Sequence, residues 1–143
     1  PIGITGLELK YVGHYHGSRV IDPVTGRKRH MSYRPLWHQN WDLRHDIKSS
    51  GIVWGLSWAE RAAGDAYFFN QYRRETFGAN VSVFVEYNKF KLGTLRLEGS
   101  TFSTLYRNRF IYSDTRASGV VTQIINRERN LDPRVQLSLS GKF

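Results

Sequence analysis

Ile52-Val53-Trp54-Gly55-Leu56-Ser57-Trp58-Ala59 sets a bulky apolar side chain at every second position against a small one. A period of two is the signature of a β-strand, because successive side chains leave an extended backbone on opposite faces. Ile52, Trp54, Leu56 and Trp58 therefore share one face, and Val53, Gly55, Ser57 and Ala59 share the other. Bulk on one face alone implies that the two faces meet unlike surroundings.

The same period extends outward in both directions. Upstream, Lys48-Ser49-Ser50-Gly51 makes a short turn, and before it Trp37, Trp41 and Leu43 oppose His38, Asn40, Asp42, Arg44 and Asp46, with Gln39 an exception on the apolar side. Earlier still, Leu7, Leu9, Tyr11, Gly13 and Tyr15 oppose Glu8, Lys10, Val12, His14 and His16, followed by the turn-rich Asp22-Pro23-Val24-Thr25-Gly26. Downstream, Val81, Val83, Val85 and Tyr87 alternate with Asn80, Ser82, Phe84 and Glu86, and Asn88-Lys89 reads as a tight turn. Gly93, Leu95, Leu97 and Gly99 then oppose Thr94, Arg96, Glu98 and Ser100, placing full charges on one face of a single strand. The last run sets Val135, Leu137, Leu139, Gly141 and Phe143 against Gln136, Ser138, Ser140 and Lys142. A further β-prone piece, 120–125, lies within the basic stretch 106–133.

Helical periodicity is scarce, so the expected fold is all-β: an antiparallel up-and-down meander of about six strands, with residues 1–143 forming one segment. Connections alternate between short (46–51, 88–90) and long (17–33, 60–78, 106–133), the pattern of short periplasmic turns and long external loops in bacterial barrels. No stretch approaches the roughly 18 apolar residues of a transmembrane helix, so any membrane reading is a barrel reading. In such a wall the outer face is apolar with aromatic girdles and the inner face is polar. Trp37, Trp41, Trp54, Trp58 and Tyr87, with Tyr11 and Tyr15, suit the girdles.

Composition fits this pattern. The 143 residues include 4 Trp, 8 Tyr and 8 Phe, yet the mean hydropathy is -0.49, so the rings are scattered through a polar chain. A formal net charge of +9 points to anionic partners: lipid, acidic ligand or nucleic acid. The absence of cysteine removes thiolate metal sites, disulfides and cysteine nucleophiles. The chain opens Pro1-Ile2-Gly3-Ile4 without Met, and the expectation is that the natural N-terminus, with any export signal, lies upstream.

Signals for chemistry are weak. Pro1 could serve as a tautomerase base, but no βαβ unit follows it. His14 and His16 have a metal-compatible spacing without a third ligand in the sequence nearby. Gly55-Leu-Ser57-Trp-Ala59 approaches a nucleophile elbow but sits inside a strand instead of at a strand-to-helix turn. Alternation sends His45 away from Arg44 and Asp46. The expectation is therefore a protein that is not an enzyme and carries no cofactor and no metal. The basic clusters Arg27-Lys28-Arg29-His30, Arg73-Arg74 and Arg107 to Arg129 fall in the long connections, where Arg27, Arg29, Arg107, Arg109, Tyr112 and Arg116 are candidates for contact with a ligand or with lipopolysaccharide.

The final stretch Arg134-Val-Gln-Leu-Ser-Leu-Ser-Gly-Lys-Phe143 resembles the C-terminal signal read by the outer-membrane assembly machinery, with Val135, Leu137, Leu139 and Phe143 on its lipid-facing side. Tyr11-Val-Gly-His-Tyr-His-Gly-Ser-Arg19, Asp22-Pro-Val-Thr-Gly26, and Leu95-Arg-Leu-Glu-Gly99 with the following Arg107, Arg109 and Tyr112 are similar to the C-terminal end of TonB-dependent outer-membrane receptors. One departure is Ser100-Thr101-Phe102, where that family usually has an Asn-Leu pair. The resemblance implies a barrel of about 22 strands with a plugged lumen, of which this chain supplies the last six strands, and energised import of a ferric chelate, cobalamin or glycan. The partners it implies are the upstream strands and plug, outer-membrane lipid and lipopolysaccharide, the assembly machinery, and TonB through a missing N-terminal segment, with no nucleic acid, in the outer membrane of a Gram-negative bacterium. The alternatives are another outer-membrane barrel such as a porin, and a soluble basic β protein that binds nucleic acid.

Overall fold

A computed structural model describes residues 4–101 and 103–141. Phe143 and Phe102 lie outside the described residues. The strands are β1 (Leu7–Tyr15), β2 (Val20–Ile21), β3 (Lys28–Arg29), β4 (Trp37–Ile47), β5 (Ile52–Arg61), β6 (Gly64–Tyr67), β7 (Gln71–Phe77), β8 (Asn80–Phe90), β9 (Gly93–Thr101), β10 (Leu105–Tyr112), β11 (Val121–Arg129) and β12 (Arg134–Ser140). The fold is all-β, and every pairing is antiparallel.

The six alternating runs form one sheet in the order β1-β4-β5-β8-β9-β12, each strand beside its neighbour in the meander. Register locks their faces together. On one side Leu9, Leu43, Leu56, Val83, Gly99 and Val135 lie in a cross-strand row, and Leu7, His45, Trp54, Val85, Leu97 and Leu137 form the next. On the other side Lys10, Asp42, Ser57, Ser82, Ser100 and Arg134 make the equivalent row. Among the described residues no second layer covers the apolar side: Val83 is 51 % exposed, Leu137 68 % and Val135 78 %. Among the described residues the buried hydrophobic side chains are Val53 and Ala66. A contiguous exposed apolar face of this extent is not what a self-contained soluble domain presents.

The polar side is held together instead by charge. Arg96 bonds Glu86 at 2.5 Å and Glu98 at 2.7 Å, and Arg44 approaches Glu86 at 3.5 Å. Phe84 is wedged between the two guanidiniums, 3.9 Å from Arg96 and 5.7 Å from Arg44, and it lies over Gly55, where a Cβ would collide with its ring. Asp42 accepts a hydrogen bond from Ser57 at 2.6 Å.

The long connections 60–78 and 106–133, expected as loops, are largely strands. β11-β10-β7-β6 form a second sheet that repeats the order of the last four strands of the first, because β5 leads into β6, β7 into β8, β9 into β10 and β11 into β12. The breaks at 62–63 and 78–79 reverse which parity faces which way, so Phe77 and Arg73 lie on the side of Arg61, which belongs to the polar face. The turn expected at Asn88-Lys89 is also displaced. β8 runs on to Phe90 through a register shift after Tyr87, and the chain reverses before Gly93, whose φ of +130° only glycine adopts freely.

Candidate functional site

The connection between β1 and β4 bends back over the exposed edge of β6. Tyr33 donates its backbone N–H to the Asp65 carbonyl at 2.8 Å, and Tyr67 N–H donates to Ser32 Oγ at 3.2 Å. Asp22 anchors the outer half of this connection. Its carboxylate is 1 % exposed and accepts from the backbone N–H groups of Val24 (2.8 Å) and Thr25 (3.2 Å), from Arg29 Nε (2.7 Å) and from the Arg116 guanidinium (2.8 Å). The first two bonds are an Asx-type turn, which explains Asp before Pro23 and Gly26. Arg116 comes from the tip between β10 and β11, where Thr115 caps a short 3₁₀ turn, Arg116–Ser118. It also donates through Nε to the Phe68 carbonyl. One buried carboxylate thus ties together two loops distant in sequence. Burial raises the Asp22 pKa, but the Val24, Arg116, Thr25 and Arg29 hydrogen bonds outweigh it and hold the group at about 2.

This arrangement sorts the six residues expected to meet a ligand. Arg27, Arg29, Tyr112 and Arg116 line one cavity of about 350 Å³ with Tyr67 and Tyr72. Arg29 and Arg116 are already engaged by Asp22 and lie over the Tyr67 ring at 4.6 and 5.3 Å. Tyr72 donates its hydroxyl to Asp65 at 2.7 Å, and burial together with that acceptor pushes its pKa up. Arg107, Arg109 and Tyr112 belong to β10 and not to a loop. Arg107 pairs with Glu75 at 2.7 Å, and Arg109 lies in register with Arg73 on β7, so these two stand apart from the Asp22 cluster.

The aromatic residues expected as girdles occupy several levels. Trp41 and Trp58 are register partners, with Tyr11 packed on Trp41 at 4.4 Å, and make one aromatic row. Tyr87 lies three rows away beside Ile52, Trp54 stands between these levels in contact with His45 at 5.7 Å, and Trp37 lies beyond the Gln39 and Glu60 row. Val135, Leu137 and Leu139 project from β12 on the apolar side in register with Gly99, Leu97 and Leu95.

On the polar side a trough that the sequence did not reveal runs from the first sheet into the second. Its lower half, about 330 Å³, is lined by Pro35, His38, Asn40, Glu60, Arg61, Phe77 and Asn80. Its upper half, about 240 Å³, shares Pro35, Arg61 and Phe77 and adds Tyr33, Arg73 and Glu75. The Arg61 guanidinium lies 3.5 Å from the Phe77 ring centroid. Next to His38, His14 stacks at 4.4 Å, and His16 lies 5.9 Å away. Parallel rings do not aim their nitrogens at a common point, and among the described residues no group of His, Asp or Glu is arranged to hold a metal ion. The sequence carried one usable signal, the alternation that places His14, His38 and Arg61 on polar faces. The fold supplied the rest by bringing Phe77 back onto Arg61. No family model, curated protein or solved structure matches the chain.

Proposed function

We propose that this chain is a section of the wall of a TonB-dependent outer-membrane receptor, serving energised uptake of a scarce ligand such as a ferric chelate, cobalamin or glycan. The observation that carries the reading is the single-layer meander with an uncovered apolar face and a charged, internally paired opposite face. Hydrocarbon is the surrounding that makes the first face stable, and a water-filled or plugged lumen is the surrounding that suits the second. Four apolar rows, from Ile47 and Tyr87 up to Tyr11, Trp41 and Trp58, precede the polar pair Gln39 and Glu60. Successive rows are two residues apart, so at about 3.3 Å per residue and a strand tilt near 40° the four rows cover roughly 15 to 20 Å of the apolar band of about 25 Å expected of such barrels.

On this reading β1 and β12, each paired on one side only among the described strands, continue into further strands of the barrel. The second sheet projects beyond the membrane as tall hairpins, where its cations face lipopolysaccharide or incoming ligand. The plug, TonB and the assembly machinery are the remaining partners, and the role is that of a receptor wall and not of an enzyme. The likeness of Leu95 to Gly99 and Tyr11 to Arg19 to that family adds to the argument. Expression of the full-length protein in a Gram-negative host tests it. The expected result is an outer-membrane fraction whose band migrates differently in gels with and without heating, whereas a detergent-independent soluble protein contradicts the reading.

A further inference from the structure

Arg61 and Arg73 line the trough with looser carboxylate pairing than Arg29 or Arg116, although Glu60 and Glu75 line it too. Arg61 is exposed, lies against the Phe77 ring and has no acidic partner among the described residues. Arg73 reaches the Tyr33 hydroxyl at 3.2 Å, but its buried Nε lies 3.4 Å from Glu75 Oε1 in a direction that makes no hydrogen bond. Glu75 is spent on Arg107 at 2.7 Å. A guanidinium N–H left without a protein acceptor carries a free-energy cost, which an added oxygen acceptor relieves once the side chain turns toward it. Tyr33 adds a second sign of a built site. It holds a φ of +62°, a strained value for a residue with a Cβ, and is fixed there by its bond to the β6 edge.

We infer that this trough is a binding site for a small free polyanion, a solute bearing several carboxylate or phosphate oxygens, with Arg61 and Arg73 as its cationic ends. Planar guanidiniums match such oxygens in bidentate geometry, and Arg61 is held against the Phe77 ring with no acidic partner among the described residues. Asn40, Asn80 and His38 supply neutral hydrogen-bonding groups at the lower end, and Tyr33 and Pro35 supply walls. The joined volume suits a solute of citrate or nucleotide size. The inference rests on the barrel reading, because only there does this face meet an aqueous passage, and the location selects the source of the anion. A lipid headgroup approaches the opposite, apolar face and does not reach Arg61.

The test uses the full-length receptor in detergent, titrated calorimetrically with citrate and with pyrophosphate, and with lipopolysaccharide micelles as competitor. The native protein binds at least one of the two probes, and Arg61→Met and Arg73→Met each weaken binding by about tenfold or more, the scale of one lost charged hydrogen bond. Lys91→Met, at the opposite end of the sheet, leaves binding unchanged, and micelles do not compete. Absence of binding to both probes, native affinity in both arginine variants, an equal loss in the Lys91 variant, or displacement by micelles each overturn the proposal. Heat-dependent gel migration of the same samples separates the two claims: a heat-modifiable barrel that binds neither probe refutes the site alone, and a protein soluble without detergent refutes the wall.

Discussion

Asp22 draws two guanidiniums and two backbone N–H groups onto one buried carboxylate, so its energetic role depends on its charge. Its pKa of about 2 lies below the ordinary carboxylate value of 3.8, and a depressed folded-state pKa means that the carboxylate stabilises the loops above the unfolded value and loses that effect as pH falls. The window is therefore from about pH 4 down to about pH 2. Asp22→Asn leaves Arg29 and Arg116 partly unpaired and lowers the local stability of the two loops by about 1 to 3 kcal/mol, the cost of stranding buried donors. Hydrogen exchange measures this: amides 22–29 and 113–119 exchange faster together in the variant, and unchanged protection at both loops contradicts the clamp. The first sheet contributes a different case at Gly55, whose missing side chain is occupied by the Phe84 ring. Gly55→Val forces that ring off Arg96 and costs about 1 to 3 kcal/mol by overpacking. Thermal unfolding is expected to show that Phe84→Ala in the same chain recovers part of the loss, and a double variant no better than Gly55→Val contradicts the packing argument.

At the scale of elements, the strands that were legible are those with uninterrupted alternation. β5 could be read directly because Ile52, Trp54, Leu56 and Trp58 never leave their face, and β4 tolerated Gln39 because its other positions agree. The second sheet was hidden for two physical reasons. Arg73 and Arg74 sit side by side and so put a cation on each face of β7, and aromatic residues such as Tyr72 and Phe77 fall on opposite faces as well, leaving no apolar side to recognise. The breaks at 62–63 and 78–79 then switch parity, so counting back from β8 places Phe77 on the wrong side. Two of the residues expected to meet a ligand inherited this error. Arg107 and Arg109 read as loop cations, yet pairing of β10 with β7 fixes them within a sheet. Arg29 and Arg116 were recognisable as basic tips, but nothing local in the sequence linked either one to Asp22.

For the molecule as a whole, the account depends on which face of the six-stranded sheet meets hydrocarbon. The two faces differ in kind: aliphatic rows such as Leu43, Leu56 and Val83 on one side, and Asp42, Ser57 and Ser82 on the other, in the same register. This chain contributes no cysteine, so single cysteines introduced into it for nitroxide labelling, in a background without other cysteines, report each face separately. In the full-length protein reconstituted into bilayers, labels at Leu56, Val83 and Leu137 are expected to be relaxed by lipid-dissolved oxygen and shielded from a water-soluble nickel chelate. Labels at Ser57, Ser82 and Gln136 are expected to show less oxygen access and greater access to the chelate. Shielding of the Leu56, Val83 and Leu137 labels from both reagents, or equal access of the chelate to both sets, would contradict a wall with lipid on one side and water on the other.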